Sequence, residues 1–299
     1  MTEAAGTTRA GLLHAFAAHL LWGLFPLYFR AVGSVPYAEL LAHRVVWAVA
    51  FLVIPVTLGA GWGRLAQALR RPRTLALFGL SAVMLFLNWG TYLWAVGQGR
   101  VTEASLGYFM NPLVNVLLGA AFLGERLRPL QWLAVGCAGA GVVWLTIHAG
   151  APPWLGLVLA LSFGVYALLR KTSSLGAIDG LALESALLAP LAVAWLGWLA
   201  LTDQAVFARA GTGMQCLIAA SGPVTALPLL FFAAAARRIP LSILGIVQYL
   251  GPTMQLLLAV YVFGEPFDGV RLVGYAAIWM GLAIFSAESL ARATRPRLA

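Results

Sequence analysis

The sequence predicts an all-α polytopic membrane protein with ten transmembrane helices in two inverted five-helix repeats, and three observations support this. First, 62% of the 299 residues are hydrophobic and only 10% are charged, whereas about a quarter of the residues in a soluble domain are charged. Second, the apolar residues form blocks of about twenty, the length that a helix needs to cross the hydrocarbon of a bilayer. Third, the second half of the chain repeats the first.

The blocks predict ten spans joined by short connections rich in Gly, Pro and charge. They cover residues 11–32, 37–60, 74–97, 101–123, 129–148, 153–171, 179–201, 215–236, 240–263 and 269–290. The first block continues past the length of a signal peptide, so we expect it to stay as the first span. A transmembrane barrel would show two-residue alternation of hydrophobicity, which this chain lacks.

The basic residues predict the orientation. With the N-terminus in the cytoplasm, 14 of the 19 Lys and Arg residues lie in cytoplasmic segments, four lie in outer loops, and Arg44 lies inside a span. Cytoplasmic loops carry an excess of Lys and Arg. We therefore expect both termini in the cytoplasm.

The repeat is visible in one pair of segments. "YFMNPLVNVLLGAAFLGERL" aligns with "QYLGPTMQLLLAVYVFGEPF" at an offset of 140 residues, which places Pro112 over Pro252 and Glu125 over Glu265. Each half, residues 11–148 and 152–290, then holds five spans, and because five is odd the second half must cross the membrane in the opposite sense. The alternative is convergence of two Leu-rich helices, but the spacing from Pro to Gly-Glu is identical in both halves.

Other features exclude further classes of protein. The formal net charge is +9, but the arginines lie in short loops without a continuous basic face, so we expect no nucleic-acid partner. Cys137 and Cys216 are interpreted as packing residues. No Walker A, HExxH, CxxC or nucleophile-elbow motif occurs, so we expect no metal and no other cofactor.

Several stretches resemble a known family. "LAHRVVWA", "NWGTYLWAV", "EASLGYFMNPLVNVLLG", "FLGERLRPLQWLAV" and "QYLGPT" are similar to the RarD-like branch of the EamA family, in the drug/metabolite transporter superfamily. The similarity runs from about Gly11 to Glu288. It implies a transporter of the bacterial inner membrane that exports drugs or metabolites; the branch is associated with chloramphenicol sensitivity, and a related branch exports amino acids. "GEPFDG" replaces "GERLRP" in the second half, which weakens the inference that both loops have one role.

Polar residues inside the spans predict a substrate site. Tyr108, Asn111 and Asn115 have the i, i+3, i+7 spacing of one helix face. The offset of 140 carries Tyr108 to Gln248 and Asn115 to Gln255. An unpaired amide in lipid costs several kcal/mol, so this face should meet a cavity or another helix. We predict that it lines a cavity; hydrogen bonds that only join helices are the alternative.

Aromatic side chains with a few polar neighbours extend this prediction to other spans. They suit an amphipathic organic molecule, and their π-faces can hold a cation; ordinary packing is the alternative. The additional candidates for substrate binding are Trp22, Phe25, Asn88, Trp89, Tyr92, Tyr166 and Tyr249.

Prolines and charges complete the candidate site. Pro112 and Pro252 each remove a backbone hydrogen bond, and their matched positions predict a gating role, with a tolerated kink as the alternative. A charge inside a span is costly and indicates function. We predict an ion pair of Arg44 with Glu184, or with the nearer Glu39, and a proton-coupling role for His43 if it joins that network. A purely structural ion pair is the alternative.

These residues and the resemblance together predict a secondary transporter that exports small amphipathic metabolites or drugs by alternating access. Amino acids and chloramphenicol-like compounds are the expected substrate classes. A proton-independent amino-acid facilitator is one alternative, and an integral-membrane enzyme acting on lipid-soluble substrates is another. The expected partners are a small-molecule substrate and the lipid bilayer, and the sequence is compatible with a monomer and with a homodimer.

Overall fold

The computed structural model describes residues 2–98, 100–149, 154–264 and 267–293, and over these ranges it contains helices and no strands. We number the helices in chain order. They are α1 (Thr2–Gly23), α2 (Phe25–Ala31), α3 (Tyr37–Leu58), α4 (Trp62–Leu69), α5 (Pro72–Gly97), α6 (Val101–Phe122), α7 (Pro129–His148), α8 (Trp154–Thr172), α9 (Ala177–Leu201), α10 (Val206–Arg209), α11 (Thr212–Ala236), α12 (Leu241–Gln248), α13 (Leu250–Tyr261) and α14 (Gly269–Ala293).

The helices confirm the all-α polytopic fold class. Within the described ranges, nine helical segments are long and apolar enough to cross a membrane, and a shorter apolar segment, Gly107–Phe122, lies in α6. Together they account for all ten predicted spans. Large apolar side chains such as Ile54, Leu133 and Val193 are exposed on the outside of the bundle, as expected for a surface in contact with lipid.

Two connections contain short helices that the sequence analysis leaves as loops. Helix α4 is amphipathic: Ala68 is buried and Leu65 packs against the same small cluster as Phe78, while Ala66 and Gln67 on the other face are exposed. Helix α10 forms a single turn before α11.

Two spans are interrupted within their length. The first span consists of α1 and α2, which meet at Leu24, and the ninth consists of α12 and α13, which meet at Tyr249. A proline follows each break, Pro26 in one case and Pro252 in the other, and proline removes a helical hydrogen bond. Pro112, by contrast, lies within α6, which is continuous.

Helix packing follows the same pattern in both halves. Helix α3 packs against α9 and α11, and α9 packs against α5; α1 packs against α11, and α8 packs against α5. Helix α6 contacts α8 and α12, and α12 and α13 contact α1. This correspondence is what two related halves would produce, while the boundaries 11–148 and 152–290 stay a prediction.

Helices α7 and α14 pack closely through small residues. A Cβ atom placed on Gly141 would lie 2.5 Å from the carbonyl oxygen of Gly274, and one on Gly281 would lie 2.5 Å from that of Ala134. Only glycine permits this approach. The small-residue segment 136–141 therefore serves helix packing.

Candidate functional site

A central chamber lies between the first, second, third, fourth, sixth and ninth spans, and the space between its walls, including the part open to solvent, is about 680 Å³. Its walls combine aromatic rings, four amides and one guanidinium. The lining residues are His19, Trp22, Phe25, Phe29, Arg44, Asn88, Trp89, Tyr92, Tyr108, Asn111, Phe163, Gln248, Gly251, Pro252 and Gln255.

A wider vestibule adjoins the chamber at one end of the bundle. The two spaces share Phe29, Tyr92, Tyr108, Pro252 and Gln255, and the vestibule encloses about 1670 Å³, part of which is open solvent. It reaches the end of α7 and the start of α14, where its lining includes His148, Ala149, Asp268 and Arg271. The chamber is thus continuous with one end of the bundle.

The structure brings nine of the twelve predicted binding residues to this chamber. They are Trp22, Phe25, Asn88, Trp89, Tyr92, Tyr108, Asn111, Gln248 and Gln255. Their role in binding stays a prediction.

The other three predicted residues lie behind the wall. Asn115 is fully buried, and its Nδ2 donates a hydrogen bond to Oε1 of Gln248 over 2.6 Å. The ring of Tyr166 packs between helices against Phe163 and Phe232. Tyr249 follows Gln248 directly, and because successive helical residues point about 100° apart its ring lies in the packing between α12 and its neighbours.

Several chamber amides also form hydrogen bonds between helices. These side chains therefore both face the cavity and join helices, which were the two interpretations offered for them. Asn88 donates from Nδ2 to the carbonyl oxygen of Leu159 (2.9 Å) and to Oγ of Ser162 (3.1 Å). The Asn111 amide, oriented by its hydrogen-bonding neighbours, donates to the carbonyl oxygens of Ala160 (3.2 Å) and Leu159 (3.3 Å). Both amides therefore anchor α8 while facing the chamber.

Gln255 compensates for the break in the first span. Pro26 has no N–H, so the carbonyl of Trp22, four residues earlier, lacks its usual helical donor. Nε2 of Gln255 donates to that carbonyl oxygen over 3.0 Å. The interrupted first and ninth spans are thus joined by one side chain at the chamber wall.

The predicted ion pair between Arg44 and Glu184 is wrong. Oε1 of Glu184 accepts a hydrogen bond from Oγ of Ser81 (2.5 Å) and lies 3.6 Å from Nη1 of Arg170, in a fully buried pair. Glu184 lies seven residues after the start of α9, and Asp179 in that first turn pairs with Arg64, which follows the end of α3. Arg44 lies near the start of α3, at the other end of that helix, so Arg44 and Glu184 are at different depths in the bundle.

The nearer alternative partner of Arg44 is also occupied elsewhere. The Glu39 carboxylate accepts hydrogen bonds from the backbone N–H groups of Val206 (3.0 Å) and Phe207 (2.9 Å) at the start of α10. Nε2 of His43 lies 3.7 Å from Glu39. His43 and Arg44 are adjacent and point in different directions, so the predicted network of His43, Arg44 and Glu184 does not form.

Arg44 instead faces the chamber. It is 4% exposed, and its Nε donates to Oγ1 of Thr225 on α11 over 2.8 Å. Its guanidinium carbon lies 5.0 Å from the ring centroid of Trp89 and 5.6 Å from that of Phe29. Sequence reasoning missed this role because it assigned Arg44 to an ion pair.

His19 also lines the chamber, although it is not among the candidates predicted from the sequence. Its Nδ1 lies 2.7 Å from the carbonyl oxygen of Ala15, and its ring contacts Trp22 edge-on. The i, i+3 spacing of His19 and Trp22 was the available signal, because it places both side chains on one helix face.

The end of the bundle opposite the vestibule is tied by polar contacts. The Glu125 carboxylate accepts hydrogen bonds from the backbone N–H groups of Leu241 (2.6 Å) and Ser242 (2.8 Å) at the start of α12. Glu125 therefore joins the end of the fourth span to the start of the ninth. Glu265, which aligns with Glu125 at the offset of 140, lies outside the described residues.

Basic residues make further contacts at the same end. Nζ of Lys171 donates to the carbonyl oxygens of Ala236 (3.1 Å) and Ile239 (2.6 Å), and Arg237 donates to that of Ser173 (2.8 Å). Burial is the main cause that lowers the pKa of the Arg237 guanidinium, which nevertheless stays charged near neutral pH.

Pro112 and Pro252 occupy different surroundings. Pro252 lines the chamber just after the break between α12 and α13. Pro112 lies where α6 crosses α12, and a Cβ atom on Gly245 would come within 2.7 Å of its carbonyl oxygen. A gating role for the two prolines stays a prediction.

Comparisons with known proteins agree with this architecture. Residues 9–147 match the EamA-like transporter family. The chain is 43% identical over 295 residues to Protein RarD of Streptomyces exfoliatus, covering 99% of this chain and 94% of that protein. It is 42% identical over 298 residues to an uncharacterised transporter of Pseudomonas aeruginosa, covering 98% and 99%. A crystal structure with 24% identity has a TM-score of 0.70 over 96% of this chain and 99% of that chain, a likeness of fold alone.

Proposed function

Because the chain belongs to the EamA-like transporter family, in its RarD branch, we propose that it is a secondary transporter that exports small amphipathic compounds by alternating access. The membrane would be the bacterial inner membrane, with both termini in the cytoplasm. Amino acids and chloramphenicol-like compounds are the candidate substrates. The family is one of transporters, so we set aside the alternative of an integral-membrane enzyme.

One observation carries the proposal: the central chamber communicates with one end of the bundle, and polar contacts close the other. The vestibule continues the chamber toward Asp268 and Arg271. Glu125 and Lys171 connect separate helices at the opposite end. In the predicted orientation the vestibule is on the outer side, so this arrangement would be the state that releases an exported compound.

The chamber wall supports an amphipathic substrate. Trp22, Phe25 and Phe163 present aromatic rings, while Gln248 and Asn111 supply polar groups. A site of this kind buries an apolar body and orients it through a few polar contacts. Residues of both proposed halves contribute to the wall, as expected for a site at a repeat interface.

The experiment measures uptake of labelled chloramphenicol and of labelled amino acids into vesicles that contain the purified full chain. We expect Tyr108→Ala and Gln248→Ala each to lower the flux while the protein still folds, because both side chains line the chamber. Leu117→Ala and Leu257→Ala are matched controls on α6 and α13, since both side chains are exposed on the outside of the bundle. Flux of the two chamber variants equal to that of the controls would contradict the proposal.

A facilitator without proton coupling is the second candidate. The observation in its favour is that His43, the predicted proton carrier, contacts Glu39 and is not among the described residues that line the chamber. Flux measured with and without a pH gradient across the vesicle membrane separates the two candidates. A facilitator gives the same initial rate in both conditions, and a proton exchanger does not.

A further inference from the structure

Arg44 is a cation at the wall of the chamber. It lies about two turns after the start of α3, and it is 4% exposed. Arginine keeps its charge in proteins. A charge within a membrane span is costly and is normally balanced by a partner.

No carboxylate balances Arg44 among the residues that the structure describes. The ionisable groups around it are Tyr108, Tyr28 and Tyr92, which are phenols and neutral near pH 7. The buried acids of the described chain are engaged elsewhere: Glu39 with the start of α10, Asp179 with Arg64, Glu184 with Arg170 and Ser81, and Glu288 with Arg128.

The guanidinium is held in one orientation by its neighbours. Its Nε donates a hydrogen bond to Oγ1 of Thr225 over 2.8 Å. The ring centroids of Trp89 and Phe29 lie 5.0 and 5.6 Å from the guanidinium carbon. In the described part of the chain, the side-chain hydrogen bond of Arg44 is the one from Nε, and neither terminal nitrogen takes part in it. Two terminal N–H groups in a fixed plane match the two oxygens of a carboxylate.

We propose that Arg44 binds a carboxylate of the transported compound, so that the substrates are organic acids with an aromatic or otherwise apolar body. This inference rests on the proposed transport function. A monovalent carboxylate fits better than a phosphate, because Arg44 is the one Lys or Arg residue among the described residues that line the chamber. The rings of Trp22, Phe25 and Phe163 would contact the apolar body.

The experiment compares matched pairs of ligands that differ only in charge. Binding of indole-3-acetate and indole-3-acetamide, and of phenylacetate and phenylacetamide, is measured by calorimetry on the purified full chain in detergent. We expect each acid to bind at least about tenfold more tightly than its amide, because charge-assisted hydrogen bonds are the stronger ones. An amide that binds as tightly as its acid, or a pair in which neither member binds, overturns the inference without any variant.

Variants locate the effect. Arg44→Gln should remove the preference for the acid, and Arg44→Lys should keep part of it, since lysine retains the charge but not the planar fork. Arg209→Gln is the matched control: Arg209 is exposed and pairs with Asp203 outside the chamber, so the preference should persist. A preference unchanged in Arg44→Gln overturns the inference.

The vesicle assay separates this inference from the transport proposal. Flux of neutral compounds that depends on Tyr108 and Gln248, without any preference for acids, would leave the transporter standing and refute the carboxylate site. Tight binding of the acids through Arg44 without flux of any compound would support the carboxylate site and refute the transport function.

Discussion

The contact of Glu125 with the start of α12 supports a quantitative prediction for Glu125→Ala. The first N–H groups of a helix have no partner within the helix, and Pro240, the residue before α12, supplies no side-chain cap. The Glu125 carboxylate accepts hydrogen bonds from Leu241 and Ser242 at 2.6 and 2.8 Å. Removing it takes away both acceptors and the negative charge at this helix terminus.

The expected magnitude follows from these two hydrogen bonds. A hydrogen bond to a charged group contributes about 1.5–3 kcal/mol, but Glu125 is partly exposed, so solvent screening reduces the value. We take about 2 kcal/mol for the pair, close to the upper range for the loss of a helix cap. This corresponds to about a thirtyfold shift in the local opening equilibrium at the start of α12.

Backbone hydrogen exchange measures this shift directly. Exchange of amides reports local opening of the segment that holds them, so peptides covering residues 241–248 should exchange about tenfold to thirtyfold faster in Glu125→Ala. Glu39→Ala is the matched control, because its carboxylate accepts from Val206 and Phe207 in the same manner at α10. That variant should speed exchange around residues 206–209 and leave 241–248 unchanged.

Two results would refute the reasoning. Exchange of residues 241–248 within about twofold of the wild type in Glu125→Ala would show that the start of α12 is held by other contacts. Equally fast exchange of residues 241–248 in Glu39→Ala would show a general loss of stability, and not the loss of a local contact made by Glu125.

Two further predictions concern stability. Arg170→Met should lower the free energy of unfolding by about 3–5 kcal/mol, because it leaves the buried Glu184 without its cation. The double variant Arg170→Met, Glu184→Leu should recover part of this loss in a thermal melt. A double variant as unstable as the single variant would contradict the prediction. Gly245→Val should cost about 1–3 kcal/mol by overpacking, since a Cβ atom there would lie 2.7 Å from the Pro112 carbonyl oxygen. An unchanged melting temperature would show that α6 and α12 can separate without cost.

The spans were predictable because they follow from local composition. The predicted 129–148 coincides with α7, and 101–123 differs from α6 by one residue. The breaks at Leu24 and Tyr249 were not predicted, because a membrane helix can contain a proline and either break there or stay continuous. Pro112 lies in a continuous helix while Pro26 and Pro252 follow breaks.

The candidate site was predictable in part. Polar residues within an apolar span must face a cavity or another helix, and this identified Tyr108, Asn111 and Gln248 as candidates for a common site. The same argument could not separate Asn115 from its neighbours. Asn115 lies on the same face of α6 as Tyr108 and Asn111, but Gln248 of α12 separates it from the chamber. This position depends on how α6 and α12 cross.

By itself the sequence determined the fold class, the ten spans and the set of polar groups that had to be hidden from lipid. These follow from the cost of placing charges, amides and unpaired backbone groups in hydrocarbon. The tertiary structure alone decided which of these groups meet at the chamber and which pair elsewhere, as in the pairing of Glu184 with Arg170 and the position of Arg44 beside Trp89. The reason is that a contact between spans depends on depth and rotation, which are properties of how the helices pack.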